Sequence, residues 1–417
     1  MTGTAIDSET VPARDSIGGV KWAYVLMGVA DATLLPFLPL YLFQRGFSAP
    51  LIGIVLAGVA LGSLLAGLGW AYLADRAFRA ERMLVGASAA AAAVALLLLL
   101  PAGVALVVTV TVALGVARSP FTLLDPITLQ RLMAARRTAY ARIRLRMSAG
   151  WAVSAILSGA VFQAAGLRLM PLLYAPLVSV FGLWVRFAIK PVARAPRPLP
   201  GAPRLARLPL ALIGFLACCL LLGASSAAAQ NFVTLRIDFL GGGALLIGAA
   251  AAFQAMTEIP TMAYTHVLTR RLGHRVLFVI GCAIYVVVFF SWAFVSDALA
   301  VALMKLAAGV GFALTYVATV LIADELTPSH LRATGQLLGK AAMFGVAPVV
   351  GTIGGGLIYG TYGSRAMFLA SAAVAGAAGL AAWIAIPARG PRSMRAADVG
   401  VGESVAIGTS AAPVLRS

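Results

Sequence analysis

Charge is scarce in this chain. Asp, Glu, Lys and Arg make up 11% of its residues while hydrophobic types reach 61%, well above the roughly 45–50% apolar usage of soluble domains. A soluble globular protein is excluded on that ground. Chemistry-bearing residues are equally few. The three cysteines, Cys218, Cys219 and Cys282, fall inside apolar runs without metal-ligand spacing and read as packing residues. His266, His274 and His330 sit near helix ends or in loops, again without metal spacing, and read as surface groups. No phosphate loop, nucleophile elbow or zinc motif occurs. Neither ATP drive nor catalysis is expected, so the chain reads as no enzyme, with no cofactor and no metal. Acid is scarcer than base: 14 Asp and Glu stand against 32 Lys and Arg, a net charge of +18. Residues 1–19 carry Asp7, Glu9 and Asp15 and lack a basic leader region, so they read as a short disordered tail and not as a signal peptide.

Long apolar runs take the place of charge. Mean hydropathy is +0.96, and a bilayer crossing needs about 20 apolar residues. Twelve charge-poor runs qualify, near 20–43, 50–73, 83–101, 104–130, 143–165, 169–189, 209–232, 243–268, 276–295, 299–322, 333–357 and 365–387. The expected fold class is an all-α integral membrane protein with twelve transmembrane helices. A charge of +18 could serve nucleic acid, but most Lys and Arg fall in the tails and in alternate loops. That is the positive-inside bias. It predicts a multi-pass protein of the cell (inner) membrane with both termini cytoplasmic, basic loops against anionic lipid headgroups and no nucleic-acid partner. The longest basic, proline-rich break, Lys190 to Pro209, reads as a linker between two bundles. The expected units are a cytoplasmic tail at 1–19, a six-helix bundle at 20–189, the linker at 190–208, a second six-helix bundle at 209–387 and a cytoplasmic tail at 388–417, in a monomer.

An internal repeat supports the division. At a constant offset of 195 residues, Gly46 matches Gly241, Ile52-Gly53 matches Ile247-Gly248, Arg76 matches Arg271, Arg137 matches Arg332, Gly150 matches Gly345 and Gly159 matches Gly354. Two homologous six-helix halves explain the common offset, an arrangement known from major facilitator transporters, whose sites lie near the midplane between halves. The loop from Gly69 to Arg79, GWAYLADRAFR, resembles that superfamily's signature between spans two and three, with Tyr72 and Phe78 replacing two usual glycines. The resemblance implies that Asp75, Arg76 and Arg79 help to lock the cytoplasmic faces of the halves, with Arg142 on the same rim.

A narrower resemblance covers about 20 to 388. Arg142-Ile-Arg144 followed by Ser148-Ala-Gly150-Trp151, Pro36-Phe-Leu-Pro39-Leu-Tyr41-Leu, Glu258-Ile-Pro260 and Arg332-Ala-Thr-Gly-Gln336 look like the branch that contains lactose permease, nucleoside–proton symporters and phenylpropionate-permease-like proteins. In that branch the acid matching Asp125 and the arginine matching Arg144 act together at the substrate. The tryptophan matching Trp151 stacks on a ring, and the acid matching Glu258 lies at the binding site. One departure matters: where the branch often has His-Gly in the tenth span, this chain has Ala308-Gly309. A proton relay through that histidine is excluded, and another group must carry any proton coupling.

The residues themselves point the same way. Arg144, Ser148 and Trp151 stand at i, i+4, i+7, so guanidinium, hydroxyl and indole share one helical face. Arg118, Thr122 and Asp125 repeat that spacing on the preceding helix, and the two stripes are expected to line a substrate cavity. A charge at a helix centre costs about 2.5–3.5 kcal/mol on insertion, so each one needs a partner or a task. Arg144 with Asp125 is either a plain bidentate pair or a substrate clamp, and a ring beside it favours holding a sugar, nucleoside or aromatic acid. Arg118 either binds an anionic group or shares Asp125. Pro126 is expected to loosen its helix and to hold Asp125 away from the α-helical conformation. Asp31 and Glu258 are candidates for exchanging a proton or binding a cationic substrate group, against permanent bridging as the alternative. Ser225, Ser226, Gln230, Asn231 and Gln254 offer hydrogen bonds to a ligand or between helices. Lys305 is expected to snorkel at the outer end of span ten, and Lys340 to be buried as a secondary site candidate. The function expected is proton-coupled symport of a small polar ring-containing solute by alternating access, with a proton-driven exporter of drugs or metabolites as the alternative.

Overall fold

In hydrocarbon a backbone cannot leave its N–H and C=O groups unpaired, and a helix pairs them all within one segment. The computed structural model describes residues 13–76, 79–101, 103–134, 140–190, 209–327 and 332–387. The N-terminal tail through residue 12, the linker at 191–208 and the C-terminal tail from residue 388 lie outside the described residues. In the first half run α1 (Ala13–Leu34), α2 (Leu38–Gln44), α3 (Ala49–Arg76), α4 (Ala80–Leu97), α5 (Val104–Arg118), α6 (Leu124–Ala134), α7 (Tyr140–Ala165) and α8 (Met170–Ala188). The second half holds α9 (Leu210–Phe239), α10 (Gly243–Leu272), α11 (His274–Phe294), α12 (Ala298–Leu303), α13 (Lys305–Leu326), α14 (Arg332–Lys340) and α15 (Ala347–Ala385).

Among the described residues, eleven stretches are long and apolar enough to cross a membrane. The last, Thr334–Ala385, has 52 residues, more than twice the ~20 that one crossing needs. Gly363 inside it has φ 84°, a left-handed conformation that glycine adopts without a Cβ penalty. The chain turns there, so this stretch makes two crossings and the total is twelve. An even number brings Ala13 and Ala385 to the same face of the molecule.

Two six-helix bundles follow from the packing. In the first, α1 lies against α7 and α8, α3 against α5, and α4 against α5 and α8. In the second, α9 lies against α15, α10 against α13, and α11 against α13 and α15. The bundles meet where α7 crosses α10 and where α3 crosses α15. Glycine permits both crossings. A Cβ on Gly248 would stand 2.1 Å from the Ala155 carbonyl oxygen, and one on Gly53 would stand 2.2 Å from that of Thr352. Gly53 and Gly248 are mates in the 195-residue repeat, so the two crossings are related by the pseudo-symmetry of the halves.

Both crossings lie at the face opposite the chain ends. Along α3, Ile52 and Val55 near Gly53 are fully buried, whereas Leu65, Leu68 and Tyr72 further along are more than half exposed. Gly67 and Gly69 meet nothing within 4 Å. The bundles therefore touch at the far face and diverge towards the face that carries the termini.

Candidate functional site

The space between the diverging bundles is a cavity of about 770 Å³, within the usual range of small-molecule sites. From the first bundle α7 contributes Arg144, Ser148 and Trp151, and the turn after α1 contributes Pro36. Helical spacing puts the three α7 side chains on one face, as two turns of i, i+4, i+7 require. Asp125 holds the first of them. The Arg144 Nη1 donates to both carboxylate oxygens, at 2.9 and 2.7 Å, and Tyr24 on α1 donates its hydroxyl to the same carboxylate at 2.6 Å. Arg144 and Asp125 keep 41% and 35% of their side chains exposed. At that exposure an ion pair contributes only about 0–1 kcal/mol to stability, so its main effect is to aim the guanidinium.

The second bundle supplies the larger part of the wall. Glu258 lines the cavity from α10, one turn beyond Gln254. Phe312 and Tyr316 on α13 stack with centroids 5.7 Å apart, and Phe344 meets them at 6.1 and 5.8 Å. All three line the cavity, as does the buried Tyr285. Lys305 is the least expected member. It opens α13 just after the break at Met304, is 8% exposed and faces the cavity. Its ammonium donates to the side-chain oxygens of Gln230 and Gln254 and lies 5.7 Å from the Trp292 ring centroid.

A family profile, MFS_1-like, matches residues 19–370. The chain belongs to the MFS_1-like family. Among solved structures, the nucleoside transporter NupG aligns with a TM-score of 0.75 at 16% identity, covering 89% of this chain and 99% of that one. A POT family transporter in complex with a thioalcohol-conjugated peptide aligns with a TM-score of 0.73 at 13% identity, over 88% of this chain and 95% of that one. At such identities the likeness is one of fold, and the fold is that of major facilitator transporters. A search of curated proteins found no match.

Within this MFS_1-like transporter the expected site residues separate into groups. Arg144, Ser148, Trp151 and Glu258 share one cavity, with Asp125 behind Arg144. Asp31 and Arg118 do not line it. They form their own ion pair at 2.6 Å inside the first bundle, with side chains 8% and 14% exposed, so Arg118 pairs with Asp31 and not with Asp125. Of the gate candidates, Arg79 is exposed at the start of α4, while the side chains of Asp75, Arg76 and Arg142 lie outside the described residues.

Several expectations need correction. Lys305 does not snorkel outwards: the break between α12 and α13 turns it inwards onto two amides. Lys340 is exposed and not buried, with its ammonium 5.9 Å from the Tyr316 ring centroid. His274 is no free surface group, because its Nδ1 lies 2.9 Å from Glu325, with both side chains about one-sixth exposed. Asp125 is helical despite Pro126, since the chain changes to a 3-10 turn at Ser119–Leu123 and restarts as α6, leaving Pro126 in the first turn where no N–H is required. The small polar groups divide as well. Ser225 donates to the Ser371 carbonyl and so ties α9 to α15, Asn231 lines the cavity while its amide donates to the Ala227 carbonyl one turn back on its own helix, and Gln230 and Gln254 face Lys305. The signal that would have located Lys305 was its lack of any acid at helical spacing beside two amides in neighbouring spans.

Proposed function

We propose that this transporter moves a small, polar, ring-containing solute by proton-coupled symport, through alternating exposure of the cavity between its bundles. The observation that carries the reading is the meeting of Arg144, Ser148 and Trp151 from the first bundle with Glu258 from the second across one cavity. A guanidinium already aimed by Asp125 and Tyr24 offers directional donors, and the indole offers a stacking face. Glu258 takes the proton. Among the described residues no cation lies within salt-bridge distance of its carboxylate, on which Arg144 acts only from further off, whereas Asp31 is occupied by Arg118. Protonation removes the cost of moving a bare carboxylate through a dry, closed state. The termini are cytoplasmic in this reading, so the divergence of the bundles is an inward-facing state. Asp75, Arg76, Arg79 and Arg142 then form the charged rim that closes in the opposite state.

A second reading, proton-driven export, is favoured by the aromatic wall of Phe312, Tyr316 and Phe344. Purified protein in vesicles, offered sugars, nucleosides and aromatic acids under an imposed pH gradient, separates the two. Solute uptake together with protons supports symport, and extrusion against proton entry supports export. Absence of gradient-dependent flux for every solute sinks both. Arg144→Lys keeps the charge and loses the planar fork, and the expected result is substrate binding weakened by about tenfold or more. Unchanged affinity would remove Arg144 from the site.

A further inference from the structure

The cationic groups near the cavity are not equivalent. Arg144 has Asp125 and Arg118 has Asp31. Lys305 has no carboxylate within ion-pair distance among the described residues, and its two hydrogen-bond partners are neutral amide oxygens. It is nevertheless more than nine-tenths buried. Two amide dipoles solvate an ammonium but do not neutralise it, and a net positive charge in so apolar a wall creates a strong local demand for an anion.

A second observation marks the same spot. The side-chain nitrogen of Gln230 is buried and has no acceptor, because its oxygen is already turned to Lys305. Buried donors without acceptors are rare in folded proteins and call for an explanation. One oxygen-bearing anion placed beside Gln230 would accept from both this amide and the Lys305 ammonium. Both residues line the cavity, as does Trp151.

We propose that Lys305 and Gln230 form an anion subsite in the transport cavity, and that the preferred solute is a ring compound bearing a carboxylate. The proposal rests on the transport reading above and narrows its substrate class from sugars, nucleosides and aromatic acids to the acids. The carboxylate sits between Lys305 and Gln230 in the second bundle while the ring reaches Trp151 and Arg144 in the first. A solute that spans the two bundles in this way is held by both and couples their movement.

The test uses matched acid and amide probes, benzoate with benzamide and nicotinate with nicotinamide, whose rings are alike and whose charges differ. Binding is read by thermal shift on the purified full chain, and flux in vesicles. The wild type is expected to bind the acids at least about tenfold more tightly than the amides, the scale of one charge-assisted hydrogen bond. Lys305→Met should bring each acid down to the affinity of its matched amide, so that the preference is lost, while Lys305→Arg should retain it. Gln230→Glu provides a second variant close in shape to the native residue, whose own carboxylate fills the subsite, and its acid-to-amide affinity ratio should fall to one or below. Acid preference that survives both Lys305→Met and Gln230→Glu overturns the subsite. If the wild type moves neutral solutes and refuses acids, transport stands and the subsite falls. If it moves nothing from either class, the transport reading fails first and takes the subsite with it.

Discussion

Asp31 and Asp125 show how two acids of similar sequence context come to differ. Each meets an arginine, but Asp31–Arg118 is enclosed by its own bundle while Asp125–Arg144 stands beside the cavity. Burial decides the consequences. Removing one member of an enclosed pair strands the other charge, at a cost of about 3–5 kcal/mol. Asp31→Asn should therefore lower the melting temperature of the detergent-solubilised protein markedly, and pairing it with Arg118→Met should restore most of the loss. A melting temperature that does not move with Asp31→Asn would mean that Arg118 finds another partner. The sequence already named both acids and both arginines as residues needing partners. It set Arg144 with Asp125 but could not give Arg118 its partner, since Arg118 stands seven residues before Asp125 on what spacing alone presents as one continuous helical face. The 3-10 turn at Ser119–Leu123 changes the phase of that face, and the pairing changes with it.

Helix crossings carry the next set of consequences. The close approaches of Gly248 to Ala155 and of Gly53 to Thr352 leave no room for a side chain, and these contacts close the face opposite the termini. Gly248→Leu and Gly53→Leu should wedge that face apart and shift the population towards the opposite opening. Distances between spin labels on the far ends of α7 and α10 report the shift, and labels that stay at wild-type separation would show that the helices absorb the side chain without opening. Gly363 makes a different demand. Its φ of 84° with ψ of 173° is a region kept almost entirely to glycine and costs another residue about 1–3 kcal/mol, so Gly363→Ala should destabilise by about that amount without altering which face is open. Glycine positions were visible in the repeat, as were their mates. Which of them touch was not, because Gly159 maps by the offset onto Gly354 while the close contact to Gly53 falls on Gly356.

For the molecule as a whole the decisive measurement is coupling. Glu258→Gln removes the one carboxylate that lines the cavity among the described residues and keeps its shape. Accumulation driven by a pH gradient should be lost while exchange of solute across the membrane persists, because exchange returns the loaded carrier and needs no net proton movement. If Glu258→Gln still accumulates solute with the gradient, the proton is carried elsewhere, and Asp31 becomes the group to replace. Rocking of two bundles about a central cavity also predicts that any cross-link between the far ends of α3 and α15 stops net transport at either pH.

Apolar run lengths and the 195-residue repeat were enough to expect twelve crossings in two halves, because a bilayer allows so few ways to pair a backbone, and the resemblance carried by the Gly69–Arg79 loop and the fifth span added the major facilitator fold. They also singled out Arg144, Ser148, Trp151 and Glu258, since a polar group in a charge-poor span stands out against its neighbours. The partners of those groups depend on helix phase and on contacts between distant spans, which no single helix encodes. Hence the enclosed Asp31–Arg118 pair, the inward turn of Lys305 after Met304 and its two amide companions emerged only once the helices were packed.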